Sequence, residues 1–150
     1  MKKRYIVTIL LLVAAVMLLA ACSSSSGDAP EEVPVEEIQD ITWEWAELIE
    51  NNPAAQSVVP DPENYTLTFF ADGTVAMKVD CNSGNGSYTV DGNEIEFGLM
   101  ALTMAMCPPE SLHDQFLQLL GEVDTFGMRD DKLVFTLKDE AGEMRFQNGG

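Results

Sequence analysis

The chain opens with three cations, Lys2, Lys3 and Arg4, and a nearly continuous apolar run over residues 5–21; only beyond residue 40 does its hydrophobicity become periodic. From there apolar side chains recur at every second position. Tyr65, Leu67 and Phe69 alternate with Thr66 and Thr68, and Ile95 and Phe97 alternate with Glu94 and Glu96. Val75, Met77, Val79 and Cys81 share one face while Thr74, Lys78 and Asp80 share the other. Leu133, Phe135 and Leu137 alternate with Lys132, Thr136 and Lys138, and Met144 and Phe146 with Glu143 and Arg145. A period of two sends one set of side chains to a core and the other to water, the mark of half-buried strands. The dipeptides Asp72-Gly73, Asn85-Gly86, Asp91-Gly92, Asp130-Asp131 and Ala141-Gly142 fall between these runs and predict tight hairpins. With residues 41–45, 88–90 and 125–128 the tally is about eight short antiparallel strands, which predicts a mainly β fold, a sandwich or a small barrel.

One segment changes period. In PPESLHDQFLQLLGEV, residues 108–123, Leu112, Phe116, Leu119 and Leu120 follow the 3.6-residue repeat, Ser111 and Asp114 resemble a capping box, and Gly121 suits a C-terminal stop. This predicts a single amphipathic helix whose apolar face docks on the sheet or covers a barrel end. The periodic part, residues 41–148, is long enough for one core.

The leader sets the compartment. A basic start followed by an apolar run has the layout of a secretory signal, although the run approaches the roughly 18 to 20 residues of a membrane span. Leu19-Ala20-Ala21-Cys22 decides between the two readings, because it resembles the bacterial lipoprotein box. The resemblance implies removal of residues 1–21 and acylation of Cys22, whose lipid holds the protein at a membrane by about 0.8 kcal/mol per buried methylene. Ser23 resembles the outer-membrane sorting default in a cell with two membranes, with the domain facing the periplasm. Residues 22–40, rich in Ser, Pro and carboxylates, read as a disordered acidic tether.

Charge narrows the partners. The precursor has 8 basic and 25 acidic residues; losing Lys2, Lys3 and Arg4 with the leader leaves 5 against 25, a formal charge of −20. Such a surface repels nucleic acid and anionic lipid and attracts cations or basic proteins, and it also serves plain solubility.

With Cys22 acylated, Cys81 and Cys107 remain, and an even remainder in an exported domain predicts a disulfide. The parity of its strand places Cys81 toward the core, where a thiol is a poor nucleophile. Closing a loop of about 25 residues stabilises by roughly 3 kcal/mol in the chain-entropy account. For catalysis the chain offers one histidine, His113, beside Asp114, and neighbours on a helix point in different directions, so no triad fragment is read there. No catalytic residue, metal site or cofactor is therefore assigned. One metal alternative stands open: Met100, Met104, Met106, Cys107 and His113 are soft donors suited to monovalent copper. The competing reading is that Met100, Leu102, Met104 and Met106 line a core face.

Cys81-Asn82 near a strand end, Gly86-Ser87-Tyr88 opening the next, and Thr103 four residues before Cys107-Pro108 together resemble the META domain of HslJ-like lipoproteins. Phe69, Gly73, Ile95, Phe116, Leu120, Leu133 and Phe146 support the match. Asp80 stands where that family often has glycine, and Ala105-Met106-Cys107 stands where it has Met-Ala-Cys. The resemblance implies a small antiparallel β-barrel-like domain with one helix, found in envelope lipoproteins associated with stress and drug tolerance and without an established enzymatic activity. Two function classes follow: a non-catalytic envelope domain with a stress or interaction role, and an inhibitor or binder of a basic envelope-active protein such as lysozyme.

Overall fold

The computed structural model describes residues 29–150; the leader, Cys22 and the first part of the acidic segment lie outside the described residues. Nine strands follow in chain order: β1(Thr42–Asn51), β2(Ala54–Val58), β3(Tyr65–Phe69), β4(Thr74–Val79), β5(Asn82–Asp91), β6(Glu94–Leu102), β7(Val123–Arg129), β8(Lys132–Leu137) and β9(Gly142–Asn148). One helix, α1(His113–Gly121), lies between β6 and β7. All pairings between these strands are antiparallel. One edge of β1 takes β9, and the other takes β3 along its first residues and β2 along its last. Eight strands thus close a barrel, and β2 is a hairpin arm outside it. The mainly β fold with one helix is the architecture that the alternation predicts. Strand β2 carries no such signal, because all its residues are exposed and no face needs to be apolar.

Aromatic side chains fill the interior. Phe135 meets Phe146, Phe97 and Phe69 with ring centroids 5.1, 5.8 and 6.3 Å apart. Helix α1 plugs one end: Phe116 and Leu120, four residues apart and so on one face, are buried, and Phe116 packs on Trp45 at 5.4 Å and Tyr65 at 5.8 Å. Burying a side chain of this size contributes about 1.5–3 kcal/mol. The predicted capping box does not form. The helix begins one residue later, with Leu112 as N-cap; the Ser111 N–H goes to the Pro108 carbonyl, and Ser111 Oγ accepts the His113 N–H at 3.1 Å.

Three further expectations are corrected. Asn85-Gly86 is not a turn but lies inside β5, where β6 comes so close that a Cβ on Gly84 would overlap the Ala101 carbonyl. Residues 29–40 are not a free tether. Glu31 and Met128 exchange backbone hydrogen bonds of 2.8 and 2.9 Å, Ile38 is fully buried, and its carbonyl accepts the Trp43 indole N–H at 2.9 Å. Val33 and Val35 also pack on the core, so a few apolar positions anchor a segment whose average composition reads as disordered. The folded domain therefore starts near residue 30, not 41.

Around the barrel the seams are unequal. Strand β6 pairs along its length with β5 but meets β7 at the single pair Glu94–Thr125, joined by the Phe126 N–H to the Asn93 carbonyl at 2.8 Å. From residue 95 to 102 no strand among the described residues pairs with the other edge of β6.

Candidate functional site

The site begins where β4 stops. Asp80 adopts φ +56°, in the left-handed region that glycine enters freely and Asp tolerates, and this turn breaks the period-two parity. Cys81 consequently lies exposed at the surface, contrary to the inward placement its strand parity predicts, and Asn82 takes the inward position at 3% exposure. Asn82 is the only buried polar side chain among the described residues. Such a group is tolerated only when its hydrogen bonds are made. Its Oδ1 accepts the Ala105 N–H at 2.7 Å and the Thr103 hydroxyl at 3.0 Å, and its Nδ2 donates to the Ala105 carbonyl at 3.1 Å and to the Cys107 sulfur at 3.3 Å. Thr103 extends the network, its N–H donating to the Ser83 carbonyl at 3.0 Å and its Oγ1 accepting the Ser83 N–H at 3.1 Å. The Cys81–Cys107 disulfide, with Cα atoms 5.5 Å apart, locks the same segment from the outside.

These bonds explain what the segment displays. Residues 103, 105 and 107 are tied to Asn82, so the alternate residues Met104 and Met106 face water at 97 and 99% exposure. The predicted core face therefore ends at Leu102, where the strand ends; Met100 and Leu102 are half-buried and the later methionines are not buried at all. A bulge adds a third apolar group. Between Gly86–Met100 and Tyr88–Phe97, β6 holds two residues against one in β5, which flips the parity and turns Leu99 outward at 93% exposure. Met100, Leu102, Met104, Met106, Asn82 and His113 border a groove of about 640 Å³.

Other motif residues serve the frame. Gly86 leaves room for Met100 and Met77, whose atoms would lie 3.1 and 3.3 Å from an added Cβ. Tyr88 donates to the Phe70 carbonyl at 2.8 Å and accepts from Gln39 at 3.0 Å, fastening the N-terminal segment to the barrel. Pro108 follows the disulfide and supplies the carbonyl that caps the approach to α1. Thus Cys81, Asn82, Thr103 and Cys107 converge, Pro108 adjoins them, and Gly86 and Tyr88 lie further along β5.

The donors named for copper do not stand free together: the Cys107 sulfur is bonded to Cys81, and Met104 and Met106 project into solvent. Among the described residues no group of three or more His, Cys, Asp or Glu is placed to hold a metal. His113 and Asp114 do meet, Nδ1 to Oδ1 at 3.0 Å, in the first turn of the helix, although neighbours on a helix are expected to point apart. The Asp114 carboxylate is fully exposed, and the neighbouring Ser111 hydroxyl is engaged with the His113 backbone rather than its ring.

Sequence patterning missed a charged cluster on the opposite flank. Glu143 receives Arg129 through two bonds of 2.8 and 3.0 Å and Arg145 at 3.0 Å, and Glu47 receives Lys132 at 2.8 Å. Burial raises the Glu143 carboxyl, but the hydrogen bonds and charges of the two arginines outweigh it and hold the group below its ordinary value of 4.5. The Lys132 hydrogen bond, against desolvation and aided by the Lys132 and Arg145 charges, likewise lowers Glu47. No sequence pattern short of the strand register brings Glu47 next to Lys132 and Arg145.

Compared with known proteins, the chain matches the META domain family over residues 36–148. It is similar to a protein from Burkholderia xenovorans solved by NMR, with TM-score 0.66 and 19% identity over 88% of this chain and 99% of that one. It is also similar to a DUF4847 family protein from Bacteroides vulgatus, a crystal structure, with TM-score 0.58 and 16% identity over 76% of this chain and 96% of that one. At such identities the likeness is one of fold. No curated protein matches the chain.

Proposed function

The chain belongs to the META domain family, and from that premise we propose that it is a non-catalytic interaction domain of the bacterial cell envelope, tethered to a membrane by lipid on Cys22. The observation that carries this reading is the use made of the motif. Cys81, Asn82, Thr103 and Cys107 are engaged in holding a loop whose methionines face water, and a buried amide with all its bonds satisfied is unsuited to proton transfer or nucleophilic attack. The disulfide fits an oxidising compartment outside the cytosol. A stress-related role of the envelope is the expectation that goes with this family.

The partner is a basic protein, the reading that a mature formal charge of −20 favours. Calorimetry of residues 29–150 against lysozyme at low and high salt tests it. This span keeps the whole core, and in the Burkholderia protein the matched fold is 99% of the chain, so it stands alone. Binding that weakens as added salt shortens the screening length toward about 8 Å is expected; absence of binding at low salt removes the lysozyme version. Incorporation of a fatty-acid analogue into the full chain in a bacterial host tests the anchor, and label retained on Cys22→Ala contradicts it.

A further inference from the structure

Five large hydrophobic side chains are exposed among the described residues, and three of them, Leu99, Met104 and Met106, fall within one short stretch. Val58 and Phe70 stand apart, on the outer hairpin and at a turn. The Asn82 network with the disulfide turns Met104 and Met106 out at the groove, while the β6 bulge turns Leu99 out beyond the groove's lining. The half-buried Met100 and Leu102 form the apolar part of the groove beside Met104 and Met106. Clustered exposed apolar groups over a groove mark a contact surface rather than scattered surface residues.

Charge selects the occupant. Residues 79–128, which build β5, β6, the methionine loop and α1, contain eight Asp or Glu and no Lys or Arg. The nearest cation in the chain, Lys78, is turned the other way, donating to the Glu63 carbonyl and to Asn64. A second copy of the chain would bring like charge to this groove, and an anionic membrane surface would do the same. We propose that the groove docks a cationic, apolar segment of a partner protein, with an aliphatic side chain among Met100, Leu102, Met104 and Met106 and flanking Lys or Arg drawn by the net negative charge of this cation-free span. Unbranched methionines reshape around different side chains, which suits a site that tolerates sequence variation in its partner. The proposal rests on the reading of the domain as a binder of basic proteins and gives that reading a place.

The test uses residues 29–150 with ¹³C-labelled methionine methyls and three synthetic peptides: alternating Lys-Leu, its Lys→Glu analogue and its Leu→Ser analogue. The Lys-Leu peptide is expected to shift the methyls of Met100, Met104 and Met106 but not that of Met144, which is buried in the core. The double variant Met104→Ser/Met106→Ser should weaken its binding at least tenfold, while Val58→Ser leaves it unchanged. All three positions are exposed, and the core methyl signals report that the fold is kept. Equal binding of the Lys-Ser peptide, undiminished binding by the double variant, or failure of the Lys-Leu peptide while lysozyme still binds would each overturn the groove and leave the basic-partner reading standing. Failure of both cationic peptides and of lysozyme would remove that reading as well. Preference for the Glu-Leu peptide, or loop-methyl shifts that grow with protein concentration alone, would overturn the proposal in favour of an anionic ligand or a second copy.

Discussion

On the flank of β1, β8 and β9 the cations Lys132 and Arg145, with Arg129 reaching in from the end of β7, each meet a carboxylate and these three strands pair on both sides, whereas β5 and β6 themselves contain no cation and β6 is almost unpaired toward β7. The first flank looks after itself: continuous ladders, a cross-strand charge cluster, and aromatic packing between Phe135 and Phe146 beneath it. The second needs extra fastening, and it has it in the Cys81–Cys107 disulfide and the Asn82 network. Cys81, Asn82, Thr103 and Cys107 thus lie on the side where β6 has few strand partners. They secure a surface loop that strand pairing does not hold.

Several substitutions probe that contrast. The largest effect is expected inside the closed flank: Phe135→Ala removes a fully buried ring with three aromatic neighbours and should cost about 3–5 kcal/mol in urea unfolding. A loss below that of any loop substitution would mean the core is not organised around this ring.

Replacing both cysteines, Cys81→Ser with Cys107→Ser, should cost about 3 kcal/mol, because the bridge closes a sequence separation of 26 residues. Amide exchange should rise first in residues 103–107. A uniform rise over the whole barrel would show that the bridge supports the fold as a whole rather than the loop.

Asn82→Ala should follow at about 1–3 kcal/mol, since it strands the Ala105 N–H and the Thr103 hydroxyl. The same variant should narrow the difference in exposure between the loop and its surroundings, read by oxidation rates of Met104 and Met106 against Met100. Unaltered relative rates would mean that the amide does not set how the loop is displayed.

The acid response belongs to the other flank. Glu47 and Glu143 have lowered pKa values in the folded state, so the stability they confer is present above the ordinary value of 4.5 and is lost as pH falls through the folded values. Glu143→Gln should cost about 0.5–1 kcal/mol at neutral pH and flatten the decline of stability below pH 4.5, because the cluster is partly exposed and screened. Unchanged acid dependence in this variant would place the sensitive carboxylates elsewhere. Smallest of all, Met106→Ser should move stability by less than about 0.5 kcal/mol.

The strands were legible because their burial alternates: Tyr65, Leu67 and Phe69 are buried and the threonines between them are not fully so. The helix was legible for the same reason at a different period. What was not legible depends on breaks in that periodicity. The positive φ at Asp80 reverses the orientation of Cys81 and Asn82, and a bulge at Leu99 does the same for β6. The second break did leave a trace, since the apolar positions pass from odd at Ile95 and Phe97 to even at Met100 and Leu102. The pairing of Cys81 with Cys107 was readable from cysteine number and the export that the leader predicts, while the reason for Asn82 was not, because its partners are mostly atoms of a loop. Strand β2 and the docked residues 30–40 were missed because one is exposed throughout and the other is anchored by only a few apolar side chains.

Hydrogen exchange of residues 29–150, alone and with saturating lysozyme as the basic protein, decides whether the cation-free flank is the one that binds. New protection is expected in residues 95–106 alone, with β8 and β9 unchanged. Protection appearing on β1, β8 and β9 instead, with β6 and the methionine loop unaffected, would contradict it.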